Sequence, residues 1–93
     1  MKKIRINILI DFYTSKLSDI ANRVSVLAAT AQQEDEKQNF HKIAKEAKIL
    51  FADYIVFKAK ARKFIDLLGM PYGQMWANEY ELRAAKYFDF LLN

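Results

Sequence analysis

The sequence predicts an all-α protein, built as a long antiparallel helical hairpin with a shorter C-terminal helix in a three-helix bundle. The 93-residue chain has only two glycines and one proline, the residues that punctuate folds of many strands. Apolar residues recur every three or four positions over long stretches, as they do on one face of a helix. With 53% hydrophobic residues the chain can bury one core, and we expect a single helical domain over residues 1–93.

The first helix is expected over about residues 4–31. Its apolar residues follow an unbroken three-four spacing: Ile10, Tyr13, Leu17, Ile20, Val24, Leu27 and Ala31. Its first part is ambiguous, because an isoleucine stands at every second position from 4 to 10, which is the period of a strand. We favour a helix over residues 4–12, since a lone edge strand would find no partner in this chain, and the strand stays open as the alternative.

The second helix is expected over about residues 35–68. It carries a still longer apolar stripe: Phe40, Ile43, Ala47, Leu50, Tyr54, Phe57, Ala61, Phe64 and Leu68. The acidic run at positions 34–36 suits the positive end of a helix. Gly69 with Pro71 just beyond it is typical of a helix C-terminus. The two long helices should therefore fold back on each other across the acidic bend.

Helix 2 also has a second apolar stripe on its back, formed by Ile49, Ala52, Val56 and Ala59. Because helix 1 is polar away from its single stripe, we expect helix 2 to be central and helix 1 peripheral. The C-terminal helix is too short to cover the whole length of helix 2. We therefore expect part of this stripe to stay open and to mediate self-association, so that a homodimer would complete the bundle.

The third helix is expected over about residues 74–92, with Trp76, Tyr80, Ala84, Tyr87 and Leu91 on one stripe. Its first residue is open between two alternatives. Asn78 followed by Glu81 has the spacing of a capping box, whereas a start at Pro71 would use the preference of proline for the first helical turn.

The residues needed for catalysis or metal binding are scarce. There is no cysteine, and the only histidine, His41, has no carboxylate three or four residues away that could share a metal ion. No glycine-rich phosphate loop is present, and the carboxylates are better explained by ion pairs on helix surfaces than by an acid and base pair. We expect no catalytic residues, no metal site, no cofactor and no enzyme activity.

The hairpin should gather basic residues at one end. Folding helix 2 back on helix 1 brings together positions whose numbers add to about 67. The beginning of helix 1 then adjoins the end of helix 2 and unites seven cations: Lys2, Lys3, Arg5, Lys58, Lys60, Arg62 and Lys63. Tyr72 and Trp76, near the only proline, are predicted to be exposed anchors beside this end.

These features favour a small, non-catalytic helical interaction module that binds and modulates, including by inhibition, a larger macromolecular partner. The mildly basic charge of +4 points to a protein with an acidic surface or a nucleoprotein complex. The alternative is a nucleic-acid-binding protein that uses the basic end for phosphate contacts. Polar residues interrupt the apolar segments at the N-terminus and at positions 49–57, so we expect no export signal, no membrane span and a cytoplasmic location.

Overall fold

The computed structural model describes residues 3–34 and 37–93, which form three helices and no strand. Helix α1 spans Lys3–Gln33, α2 spans Lys37–Leu67 and α3 spans Trp76–Leu92. A short 3₁₀ turn, Tyr72–Gln74, precedes α3. The predicted all-α bundle of a long hairpin and a shorter third helix is confirmed, and the predicted start of helix 2 at residue 35 lies outside the described residues. The body measures 51 × 20 × 17 Å.

The strand-like beginning of the chain is helical from Lys3 onward. Ile6 and Ile10 are buried, whereas Ile4 and Ile8 are 75% and 63% exposed. Residues four apart lie on the same face of a helix. Ile6 and Ile10 form one such pair and Ile4 and Ile8 another, and because the two pairs are offset by two residues, the sequence shows an isoleucine at every second position, as a strand would. The alternation therefore records one buried and one exposed row of the same helix.

Helix α2 ends in a Schellman motif at Gly69. Gly69 has a φ of +69°, which is favourable for glycine because it has no side chain. Its backbone N–H donates to the carbonyl of Asp66 at 2.9 Å, and the N–H of Met70 donates to that of Ile65 at 3.3 Å. The expected end of helix 2 at Gly69 is thereby confirmed, and the chain turns into the connector, residues 68–75, which leads to α3.

Helix α1 is the central helix, so the prediction that helix 2 is central and helix 1 peripheral is wrong. Helix α1 packs along both other helices, and α2 and α3 touch each other less. Buried small residues accompany this packing, because Ala21 and Ala28 let another helix approach α1 closely. The seven buried residues of α1 are Ile6, Ile10, Leu17, Ile20, Ala21, Val24 and Ala28.

The stagger of the hairpin is set by Tyr13. Its ring stacks on Phe64 with centroids 5.8 Å apart and contacts Phe57 at 6.0 Å. The residue numbers of these two facing pairs add to 70 for Tyr13 with Phe57 and to 77 for Tyr13 with Phe64, whereas the predicted stagger had facing residue numbers adding to about 67. Arg5 lies eight residues before Tyr13, about 12 Å further along the axis, and is therefore level with the last turn of α2 and the connector rather than with the predicted cations at positions 58–63.

Helix α3 begins at Trp76, between the two predicted alternatives. The residue before it, Met75, is extended and makes no capping hydrogen bond through its side chain. Asn78 lies inside the helix and donates from its amide to the carbonyl of Gly73 at 3.3 Å. The proposed capping box is therefore not formed, and Glu81 points into the bundle.

Candidate interaction surfaces

The most strongly bonded group of side chains surrounds the carboxylate of Glu81. Arg62 binds it with two nitrogens, at 2.6 Å from Nη2 to Oε1 and 3.1 Å from Nε to Oε2. The hydroxyl of Tyr72 donates to Oε2 at 2.5 Å. The hydroxyl of Tyr54 donates to the backbone carbonyl of Glu81 at 3.1 Å. These four residues, the Glu81 cluster, tie α2, the connector and α3 together.

The charges of this cluster reinforce each other. Burial of the Glu81 carboxyl favours its neutral form, but hydrogen bonds from Arg62 and Tyr72 outweigh burial and hold the pKa of Glu81 below its usual value. Burial, followed by the hydrogen bond to Glu81, raises the pKa of Tyr72. The guanidinium of Arg62 also lies over the Tyr72 ring, 4.6 Å from its centroid. The cluster is thus a carboxylate held ionised by a cation and a neutral phenol.

Sequence reasoning placed Glu81 among surface ion pairs, whereas only 6% of the residue is exposed. The spacing of Glu81 relative to the apolar residues of α3 indicates that its side chain is buried. Ala77, Ala84 and Phe88, at four residues before and three and seven after, are all buried and define the core face of α3. A glutamate on that face needs a cationic partner from another helix, because an unpaired charge is costly to bury.

Three of the predicted binding residues line one shallow groove between α2 and the connector. Arg62, Lys63 and Tyr72 border it, together with Ala59, Asp66 and Met70. Arg62 and Tyr72 are already engaged by Glu81, and Asp66 adds a negative charge. Lys63 is the remaining cation of this groove, and its ammonium lies over the ring of Phe64, 5.8 Å from the centroid, so the groove is a weak site for an anion.

The other predicted cations lie on several faces. Lys58 sits over the ring of Tyr54, with Nζ 5.0 Å from the centroid, in a separate groove that faces the end of α3. Lys60 is exposed on the outer side of α2, and Lys3 and Arg5 are exposed on the first turns of α1. Lys2 lies outside the described residues.

Trp76 is the most exposed aromatic side chain in the part of the chain that the structure describes, at 69%. It stands at the first position of α3, beside a shallow groove between α1 and α3. That groove is lined by Trp76 and Tyr80 from α3 and by polar or small residues of α1: Asp11, Thr14, Ser15 and Ser18. Trp76 is therefore exposed, as predicted, and its role as a binding anchor stays a prediction, whereas Tyr72 is half-buried and serves the Glu81 cluster.

Further exposed apolar side chains lie at the same end of the bundle, where α1 begins, α2 ends and α3 begins. We call this the connector end. Ile4 and Ile8 are 75% and 63% exposed, and Leu67 and Met70 are 57% and 43% exposed. Single exposed apolar residues are normal, but several at one end of a small protein are typical of an interaction surface.

The second stripe of α2 is exposed, as predicted. Ile49 and Val56 are 59% and 52% exposed, and Ala52 and Ala59 are also open to solvent. The stripe lies on the side of α2 opposite the buried Tyr54 and Ala61, so α1 and α3 both leave it uncovered.

Among the residues described, 3–34 and 37–93, no group of three or more His, Cys, Asp or Glu side chains could hold a metal ion. None of the helices there has the length and apolar character that crossing a membrane requires. Comparison of the chain with family models, with curated proteins and with solved structures finds no match.

Proposed function

We propose that this protein is a non-catalytic interaction module that binds and modulates, including by inhibition, a larger macromolecular partner through its connector end. The observation that carries this proposal is Trp76, whose indole is 69% exposed beside a groove. Tryptophan is the residue type most enriched among those that dominate binding energy at protein interfaces. An exposed indole at a helix start, with exposed isoleucines at the same end of the bundle, is well placed to enter an apolar pocket of a partner.

The charges at the connector end indicate the chemistry of that partner. Lys3 and Arg5 are exposed at the connector end, and neither pairs with a carboxylate within the described residues. Such cations attract and orient a partner whose binding site has an acidic rim around an apolar centre. An acidic protein surface or a nucleoprotein complex meets this description, and we place the interaction in the cytoplasm, where a chain without cysteine needs no oxidising conditions.

The buried carboxylate supports a non-catalytic role. Both oxygens of Glu81 accept hydrogen bonds from Arg62 or Tyr72, and its lowered pKa disfavours proton uptake near neutral pH. A general acid or base works best with a pKa near the working pH and needs an oxygen free to reach a substrate. The Glu81 carboxylate meets neither condition. Its hydrogen bonds instead hold α2, the connector and α3 together.

Affinity capture with the purified chain tests the proposal. A partner retained by the wild type should be lost with Trp76→Ala and kept with Phe90→Ala, which removes another exposed aromatic side chain from α3. Both side chains are more than half exposed, so neither change should alter the fold. Equal retention of that partner by wild type and Trp76→Ala would contradict the use of the connector end.

Nucleic-acid binding is the second candidate, favoured by the exposed Lys3, Arg5, Lys60 and Lys63. It predicts measurable affinity for random DNA or RNA that falls steeply with salt. Reversing Lys3 and Arg5 to glutamate should then make the dependence of log affinity on log salt shallower by about 0.7–0.9 per lost phosphate contact. Binding that is absent at low salt would exclude this candidate and leave the protein partner.

A further inference from the structure

The outer face of α2 carries a short coiled-coil pattern. Ile49, Ala52, Val56 and Ala59 are separated by three, four and three residues, which is the spacing of the two apolar positions of a heptad. All four are exposed and lie opposite the buried Tyr54. Such a seam is normally covered by a second helix, which neither α1 nor α3 supplies.

We propose that two copies of the chain pair antiparallel through this seam, with Val56 of each copy opposite Ala59 of the other. The occupant of the seam is thus a second copy of α2. This pairing is separate from the proposed function, because it uses the outer face of α2 rather than Trp76 and the connector end.

The shape of the seam suits a close pairing of identical helices. In antiparallel coiled coils, the first apolar position of a heptad on one helix packs against the second apolar position on the other. Here a larger residue, Val56, meets a small one, Ala59, and the two-fold axis repeats this contact. Ala52 meets Lys63 of the other copy, whose aliphatic stem covers the alanine while its ammonium reaches solvent.

Charge complementarity selects the second copy as occupant. Asp53 and Lys60 lie on one flank of the seam, both exposed, and neither forms an ion pair within the described residues. In the proposed register Asp53 of each copy faces Lys60 of the other. The symmetric dimer therefore gains two ion pairs, each between a carboxylate and an ammonium group. The charge pattern of this flank is thereby complementary to the same flank on a second copy.

The neighbouring registers are worse. Shifting the pairing so that Val56 faces Ala52 of the other copy places Asp53 opposite its own equivalent and Lys45 opposite Lys63 within the seam. Shifting it the other way places Lys60 opposite its own equivalent. A parallel pairing would put Lys63 against Lys63 in the seam. Like charges directly opposite each other disfavour a pairing. Of the four pairings compared, the proposed register is the one without them, and at its outer ends it sets Ile49 against Asp66 of the other copy.

Reversal of the flanking charges tests the proposal by sedimentation velocity at micromolar to high micromolar concentrations. The wild type should show a concentration-dependent dimer. Asp53→Lys and Lys60→Asp should each weaken the dimer at least tenfold, because each creates two like-charged contacts. Mixing the two variants should restore association as a heterodimer, in which both contacts are of opposite sign. Circular dichroism should show unchanged helix content, since both residues are exposed.

Lys86→Asp, a matched reversal on the outer face of α3, should leave the dimer unaffected. A wild type that stays monomeric at high micromolar concentration overturns the proposal. A dimer unaffected by both single reversals overturns the register, as does a mixture of the two variants that fails to associate. If the wild type is monomeric but its captured partner is lost with Val56→Glu, the seam belongs to a different protein. Loss of binding with Trp76→Ala alone leaves this proposal untouched and tests only the proposed function.

Discussion

Arg62 and Glu81 lie 19 residues apart in sequence and meet in a two-nitrogen ion pair that fastens α3 to α2. The side chain of Glu81 is 8% exposed and that of Arg62 is 55% exposed, so the cation lies at the rim and the carboxylate inside. Tyr72 completes the contact from the connector. A residue that looks like an anion-binding arginine in the sequence is therefore committed to the fold.

The first prediction concerns the Glu81 cluster. Glu81→Gln replaces the ionised acceptor with a neutral amide that cannot accept from Arg62 and Tyr72 equally well. The free energy of unfolding should fall by about 1–3 kcal/mol, the range for disturbing a buried hydrogen-bonded charge. Glu79→Gln, at an exposed position two residues away, should change it by less than about 0.5 kcal/mol. Urea denaturation followed by circular dichroism measures both, and equal effects would show that the cluster adds no stability.

The second prediction is acid sensitivity. The pKa of Glu81 in the folded protein lies below its ordinary 4.5, so its ionisation stabilises the fold above that pH. This contribution should be lost as the pH falls through the folded pKa. Melting temperatures measured from pH 7 to pH 2 should therefore drop less steeply for Glu81→Gln than for the wild type. Parallel curves would mean that other carboxylates determine acid stability.

The third prediction is alkaline sensitivity. The pKa values of Tyr72 and Tyr54 are raised above the ordinary 10.0, chiefly by burial. Above pH 10 the unfolded chain ionises these phenols while the folded chain keeps them neutral, so stability should fall as the pH rises. Tyr72→Phe should flatten this decline while lowering stability at neutral pH, and a slope equal to that of the wild type would contradict this prediction. Thermal melts between pH 8 and pH 11 provide the measurement.

The fourth prediction concerns the core. Leu17 is fully buried in the central helix, and Leu17→Ala should lower the free energy of unfolding by about 2–5 kcal/mol. Leu82, 62% exposed on α3, is the matched control, since the same substitution there should cost less than about 0.5 kcal/mol. Similar losses at the two leucines would contradict the packing of α1 at the centre of the bundle.

The sequence was a good guide to elements and a poor guide to their arrangement. Apolar spacing and Gly69 located the helices because both are local signals. The central position of α1 depends on how three helices pack together, and buried residues beside its main stripe, such as Ala21, belong to that packing but are weak signals in the sequence. The stagger of the hairpin depends on Tyr13 packing against Phe57 and Phe64, a contact between residues distant in the chain.

For the candidate site, too, local sequence patterns predicted which residues are exposed but not which residues of different helices make contact. The exposure of the second α2 stripe followed from local pattern, because this stripe lies outside the main apolar stripe of its helix. The exposure of Trp76 was indicated by its position near the only proline, although Trp76 also falls on the apolar stripe expected for the third helix. The commitment of Arg62 to Glu81 could not be predicted, because it requires the relative rotation and height of two helices. Its consequence is large for function, since it removes one cation from the expected basic end.

Trp76 is the only tryptophan of the chain, so a single label on its indole can report whether the connector end binds the partner. The protein can be labelled with 5-fluorotryptophan and its single fluorine resonance followed by NMR while the captured partner is added. If the connector end is the binding surface, the resonance should shift and lose its sensitivity to the solvent isotope as the indole leaves water. A partner that binds at saturation while the fluorine resonance keeps its position and its solvent sensitivity would contradict the account.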